Sequence, residues 1–178
     1  MVRPEIEFTE RLVGIASLLS TGVPYAPDLV DDARRHDAVF LGAVGGEQDP
    51  EANFDARPEA ALFALRRGLE LYANVRPLRS LPALVDRSPL RRERVDGTDI
   101  LLVRELTGGL YFGAKERSND HALDTLAYSR TEIERVVRLA FEFARSRRGR
   151  LASIDKANVL RADSGVKLLP DSRPSMTI

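Results

Sequence analysis

Apolar positions along this chain fall into short unbroken runs, helical stripes, and stretches with neither. Ala38-Val39-Phe40-Leu41 and Ile100-Leu101-Leu102-Val103 are unbroken runs. Each has the length of a buried strand, so strands are expected over 38–41 and over Asp99–Arg104. Behind Pro58, which suits the first turn of a helix, Leu62, Leu65 and Leu69 recur at helical spacing. Asp28–Arg35 reads as a short polar helix. Tyr72–Leu81 contains Asn74-Val75-Arg76-Pro77, where the proline pushes Arg76 toward extended geometry. Ile133, Val136, Val137, Ala140, Phe141 and Ala144 form one apolar stripe of a long helix. Ser129-Arg130-Thr131-Glu132 in front of it fits a capping box. Arg145, Arg147 and Arg148 suit its C-terminal end, and Gly149 stops it. Asp124–Tyr128 and Leu151–Ile154 are expected as further strands. Residues 1–30 are weakly patterned, with turns at Thr21–Pro24 and Ala26–Asp28. Residues 47–57 read as a polar loop. After Leu160 the periodicity fails, and 161–178 reads as an irregular tail. Helices alternating with short buried strands predict an α/β fold.

Composition narrows the function. At 178 residues the chain is long enough to bury a core, as one domain or a domain and a half. Lys+Arg and Asp+Glu both number 27, so it lacks the basic excess of a nucleic-acid binder, and no nucleic-acid partner is expected. With no cysteine there is no disulfide, thiolate metal site or cysteine nucleophile. The two histidines, His36 and His121, are far apart, which disfavours a histidine metal site. No apolar run approaches the roughly 20 residues that span a bilayer, and Met1-Val2-Arg3-Pro4-Glu5 lacks a signal-peptide core. The expected location is the cytoplasm, with no membrane partner.

The most telling segment is Val103-Arg104-Glu105-Leu106-Thr107-Gly108-Gly109-Leu110-Tyr111-Phe112-Gly113. An arginine closing a buried strand is awkward unless it holds an anion. A guanidinium grips a carboxylate through two parallel hydrogen bonds, which a lysine cannot copy. The segment therefore points to a small acidic substrate. Gly42-Ala43-Val44-Gly45-Gly46 follows the first expected strand, as glycine loops do at the ligand-facing edge of α/β sheets. It is no phosphate loop, because no Gly-Lys-Ser/Thr follows and GxGxxG is absent.

Leu65-Arg66-Arg67, Ala73-Asn74-Val75-Arg76-Pro77, the Val103–Gly113 segment and Asp155-Lys156-Ala157-Asn158-Val159-Leu160 occur in this order. Together they closely resemble the isopropylmalate-dehydrogenase branch of the β-decarboxylating dehydrogenase family, over roughly residues 25–160. The Leu-Thr-Gly-Gly-Leu-Tyr-Phe-Gly run favours that branch over the isocitrate, tartrate and malate relatives. The resemblance implies NAD-dependent oxidation of a 2-hydroxy diacid, with Mg²⁺ or Mn²⁺ polarising the hydroxyl oxygen. Decarboxylation and protonation follow, in leucine biosynthesis.

By the same resemblance, Arg66, Arg76 and Arg104 hold the substrate carboxylates. Tyr111 returns a proton, and Lys156 acts as general base across a homodimer. Glu59 and Asn158 lie near the nicotinamide. Three arginines can clamp two carboxylates and fix the hydroxyl for transfer. A lysine serves as base only where burial or cationic neighbours lower its pKa. No metal ligand is assigned.

The family opens with a strand and a Gly-Asp-Gly-Ile-Gly-Pro-Glu loop that this chain does not carry. It also continues well beyond Leu160, where the metal-binding aspartates and most adenosine-binding loops belong. The expectation is an incomplete fold of this family: a partial first domain over 1–75, a substrate and dimerisation domain over 76–160, and the tail. A dimer arm is expected between Tyr111 and Tyr128, and the absent first strand would leave a sheet neighbour unpaired. Two alternatives stand beside the enzyme: a catalytically silent chain acting only through dimerisation, and a relative acting on tartrate or D-malate. An apolar patch of Leu62, Leu65 and Leu69 beside Arg66 suits an isopropyl group.

Each residue also has a plain structural reading. Arg66 and Arg67 could be a solvated helix face, Arg76 an edge-strand charge, and Arg104 with Glu105 an ion pair. Tyr111 could be core packing, Lys156 a surface charge and Glu59 a helix-start preference. Asp31-Asp32 and Arg147-Arg148 read as solvated charges.

Overall fold

The computed structural model describes residues 6–46 and 56–154. They divide into two compact units, with the boundary between Leu71 and Tyr72. The expected tail over 161–178 lies outside the described residues.

The first unit is helical. Helix α1 spans Ile15–Thr21, α2 spans Leu29–Ala33 and α3 spans Ala60–Gly68. The weak patterning before residue 30 hides α1. It ends where Gly22 adopts a left-handed conformation (φ 78°) and its N–H bonds the Leu18 carbonyl. The polar helix expected over 28–35 is α2. Pro58 precedes α3, as its missing N–H allows. Leu29, Ala60, Ala61 and Leu65 form the small buried core. Gly68 admits Val30 against α3; a β-carbon there would stand 3.0 Å from Val30 Cγ2. Asp32 is not the solvated charge expected of it. It is buried and ion-paired to Arg35 at 2.6 Å and Arg11 at 3.3 Å.

The strand expected over 38–41 does not form. This segment carries no assigned secondary structure and no ladder partner among the described residues, and Phe40 is 100% exposed. An apolar run selects a strand only where a neighbouring strand can take its backbone N–H and C=O groups. Of Leu151–Ile154, only Leu151 makes an isolated β-bridge; the segment does not extend into a strand among the described residues, and Ile154 is 88% exposed.

The second unit is built on an antiparallel pair, β1 (Ala73–Arg79) and β2 (Asp99–Glu105). Between them lie a 3₁₀ turn at Pro82–Arg87, which buries Val85, and a short helix α4 (Arg92–Val95). Both ladders of the described residues are antiparallel. The second joins β3 (Lys115–Arg117) to β4 (Ala122–Asp124) as an exposed hairpin where an arm was expected. The strand expected over Asp124–Tyr128 is mostly absent, because β4 stops at Asp124.

Helix α5 spans Arg130–Arg145 and packs on β2. Its capping box is complete. The Glu132 N–H donates to Ser129 Oγ at 3.3 Å, and the Ser129 N–H donates to Glu132 Oε2 at 2.6 Å. The helix runs opposite to β2, tied at both ends. Arg135 reaches Glu105 at 3.5 Å, and Arg147 reaches Asp99 at 2.9 Å. The spans are comparable, since the ten helical steps from Arg135 to Arg145 cover roughly 15 Å before the turn that carries Arg147, and the six strand steps from Asp99 to Glu105 cover roughly 20 Å. Arg147 and Arg148 are therefore not simply solvated; both also donate to the Asp99 carbonyl. The Arg147 hydrogen bond holds the Asp99 carboxyl below its ordinary range, against a smaller opposing effect of desolvation. Among the described residues no helix is long and apolar enough to cross a membrane.

Glu132 is also held below its ordinary range, first by the Ser129 backbone N–H and then by the Ser129 hydroxyl, against slight burial. A carboxylate with a depressed folded pKa stabilises the fold above its unfolded pKa, about 4.3 for glutamate, and loses that contribution as pH falls through the folded value. Ser129→Ala should destabilise the second unit by about 1 kcal/mol in urea denaturation at pH 7. Glu132→Gln should flatten the loss of stability below about pH 4.3. An unchanged acid limb in Glu132→Gln would remove the capping box from this account.

Candidate active site

The register of the β1–β2 ladder decides which side chains share a face. Asn74 stands opposite Arg104, and Arg76 opposite Leu102. Residues directly opposite, and residues two apart on one strand, project to the same side. One face therefore carries Asn74, Arg76, Leu78, Ile100, Leu102 and Arg104. The other carries Asp99, Leu101, Val103 and Glu105, and α5 covers it. Exposure alternates accordingly, with Ile100, Leu102 and Arg104 open and their neighbours half-buried.

Arg76 and Arg104 are diagonal neighbours on the open face, a placement that typically separates α-carbons by about 7–8 Å. Arg76 Nε donates to Asn74 Oδ1 at 2.7 Å, which directs its guanidinium toward the Arg104 end. Arg104 donates to the Tyr111 hydroxyl, and its guanidinium carbon lies 5.2 Å from the Tyr111 ring centre. Two cations and one phenol thus gather at the end of β2, where a carboxylate could be held from two sides.

Glu105 points the other way. Both its oxygens accept the Thr107 N–H at 2.9 Å; one accepts the Gly108 N–H at 2.8 Å and the other the Thr107 hydroxyl at 2.6 Å. The ion pair considered for Arg104 with Glu105 does not exist, because adjacent strand residues face opposite sides. Glu105 pairs with Arg135 instead.

The Gly108-Gly109 pair is more than a loop. Gly109 begins a 3₁₀ turn ending on Tyr111, and its N–H donates to the Ala127 carbonyl at 2.9 Å. Its φ is 66°, in the left-handed region. The Tyr128 ring lies against both glycines: a β-carbon on Gly108 would stand 2.7 Å from its Cδ1, and one on Gly109 2.7 Å from its Cζ. A β-carbon on Gly113 would overlap the Thr125 backbone oxygen. Tyr111 is thus seated by a turn that only glycines can make.

Arg66 and Glu59 belong to the first unit. Arg66 lies on α3 with its guanidinium carbon 5.8 Å from the Phe63 ring centre. Glu59 is the N-cap residue of α3, with a carboxylate oxygen 3.8 Å from where a Gly45 β-carbon would stand. Of the leucine patch expected beside Arg66, Leu65 is core, 4% exposed, and only Leu62 and Leu69 are partly accessible. Lys156 and Asn158 lie outside the described residues. Among the described residues no group of three or more His, Cys, Asp or Glu could hold a metal. The sequence assigns no site role to Tyr128, which it marks only as the end of an expected strand and arm, or to Arg135. Tyr128 stands directly before the capping box, the only sequence signal that it anchors that corner. Nothing in the periodicity marks Arg135.

Residues 2–169 match the sequence profile of the isocitrate/isopropylmalate dehydrogenase family, a wider span than the 25–160 expected from the motifs. The chain is 53% identical over 161 residues to a 3-isopropylmalate dehydrogenase of Moorella thermoacetica, covering 88% of this chain and 45% of the relative. It is 53% identical over 153 residues to one from Salinibacter ruber, covering 85% and 42%. A crystal structure of a β-decarboxylating dehydrogenase from Thermococcus kodakarensis superposes with a TM-score of 0.57 at 30% identity, covering 85% of this chain and 40% of that one. The chain thus spans less than half the length of these relatives.

Gly109→Ala should cost roughly 1–3 kcal/mol, because it puts a β-carbon in the left-handed region against the Tyr128 ring. Urea denaturation checks this; a loss under about 0.5 kcal/mol, typical of neutral surface changes, would count against the seating of Tyr111 described here.

Proposed function

The chain belongs to the isocitrate/isopropylmalate dehydrogenase family, and from that premise we propose that it serves NAD-dependent oxidation and decarboxylation of 3-isopropylmalate to 2-oxoisocaproate in leucine biosynthesis. The observation that carries the reading is the Arg104–Tyr111 contact on an open sheet face, with Arg76 one diagonal step away. In this reading Arg76 and Arg104 hold a carboxylate of the 2-hydroxy diacid and orient its hydroxyl-bearing carbon. By family likeness Arg66 is also assigned to a substrate carboxylate. Tyr111, its hydroxyl oriented by the Arg104 guanidinium, returns a proton to the enolate carbon after carbon dioxide leaves. Lys156 takes the hydroxyl proton.

NAD, when bound, accepts the hydride. Glu59, whose carboxylate lies 3.8 Å from where a Gly45 β-carbon would stand, and Asn158 are assigned to the nicotinamide by family likeness. The described residues do not fit a Mg²⁺ or Mn²⁺ site, so no step is derived through the metal. We assign the β3–β4 hairpin, exposed at all six positions, to the homodimer contact, and place the protein in the cytoplasm.

A second reading is a chain without turnover that acts by pairing with an intact subunit. The exposed Val39-Phe40 segment, without a ladder partner among the described residues, favours it. NADH formation at 340 nm with 3-isopropylmalate, NAD and Mn²⁺ separates the two, using Lys156→Ala as control. Turnover above the control supports the enzyme, and none from a folded chain supports the silent subunit. The same assay with tartrate and D-malate tests the sister activities.

Diacid binding tests the site itself. Arg104→Ala and Arg76→Ala should each weaken malate binding by calorimetry roughly 10- to 100-fold, the loss of a charge-assisted hydrogen bond. Arg92→Ala, which removes only a surface pair with Asp86, should leave it unchanged. Equal binding by all three variants would sink the assignment.

A further inference from the structure

Both carboxylate oxygens of Glu105 are engaged by one turn. The donors converging on them are two backbone N–H groups, the Thr107 hydroxyl and the Arg135 guanidinium. The Glu105 side chain is 10% exposed, so these bonds form away from most solvent. Arg135 comes from α5. It also donates to Thr107 Oγ1, and its guanidinium lies 4.9 Å above the Tyr72 ring centre. Its Nε is buried without a hydrogen-bond partner. A buried donor left unpaired is costly, so it is the terminal nitrogens, on Glu105 and Thr107, that hold this side chain in place. The turn so pinned leads through Gly108-Gly109 into the 3₁₀ segment that ends on Tyr111.

We propose that Glu105 and Arg135 are positioning residues for Tyr111, acting through the Thr107–Gly109 turn to keep its hydroxyl at the Arg104 guanidinium. The turn needs an acceptor-only group, and an ionised carboxylate is one. A glutamine of the same shape presents an NH₂ that must face the N–H donors of Thr107 or Gly108. The mismatch is local: it lies behind the sheet, on the side opposite the substrate arginines, and reaches the site only by shifting the turn. This inference rests on the reading of Tyr111 as proton donor, but its test needs no turnover.

The test is ¹³Cζ-tyrosine NMR of the full chain, whose four tyrosines (Tyr25, Tyr72, Tyr111 and Tyr128) are assigned by Tyr→Phe variants. In Glu105→Gln the Tyr111 signal should move toward its position in Arg104→Ala, while Tyr25 in the first unit stays fixed. Glu105→Asp, which keeps an acceptor-only carboxylate, should restore part of the shift. A folded Glu105→Gln chain with Tyr111 unmoved overturns the proposal. If Glu105→Gln unfolds, Arg135→Lys, which keeps the charge, should show the same displacement; unfolding of both assigns the clamp to the fold alone and also overturns it. Failure of the unsubstituted chain to bind malate would sink the functional reading while leaving the Tyr111 shift to decide this one.

Discussion

The antiparallel register of β1 with β2 is the constraint on which the rest of the second unit depends. Asn74 opposite Arg104 puts Arg76 and Arg104 on one face, and Glu105 on the other. A slip of one residue would turn Arg104 under α5 and Glu105 into the open face, because strand side chains alternate with period two. The register is held from three directions. Leu106 extends the ladder by donating to the Tyr72 carbonyl at 2.9 Å. Arg135 and Arg147 tie α5 to the two ends of β2. The glycine turn then fixes where the chain leaves the sheet.

These interactions differ in weight. Surface pairs such as Arg92–Asp86 or Arg130–Glu134 contribute little, since solvent screens them and long side chains lose freedom in forming them. The Glu105 cluster is of another kind. It satisfies backbone donors that no helix or ladder satisfies, in a half-buried setting, so losing the carboxylate would leave several donors without an acceptor at once. That difference is the physical basis of the positioning role proposed for Glu105, six residues before Tyr111. It also separates two settings within one Arg-Glu dipeptide: the arginine lies on the open sheet face against Tyr111, and the glutamate accepts from the turn on the other.

The two units contrast in completeness. The second has a ladder, a capped helix over one face and a stitched turn. The first rests on a core of a few apolar side chains of α2 and α3, two leucines and two alanines, with Val39 and Phe40 exposed. An apolar run is a statement about what a segment would bury, and its burial depends on a partner being there.

Local signals were legible in the sequence wherever the physics is local. The Ser129–Glu132 box, the α5 stripe, the strand expected over 99–104, the extended stretch before Pro77 and the short helix after Asp28 all arise from contacts within a few residues, and all appear. Four motifs in order sufficed to identify the family. The strand expected over 38–41 is absent among the described residues because strand formation needs a distant partner, 151–154 shows only a bridge at Leu151, and α1 is not marked by apolar spacing because its limits come from glycine conformation. Only tertiary structure could decide that Arg104 and Glu105 part company across the sheet, that Asp32 and Asp99 are engaged by arginines, and that Arg135 and Tyr128 frame the turn beneath Tyr111. Those pairings join residues up to some fifty positions apart, and chemical type alone does not tell an arginine which carboxylate it will meet.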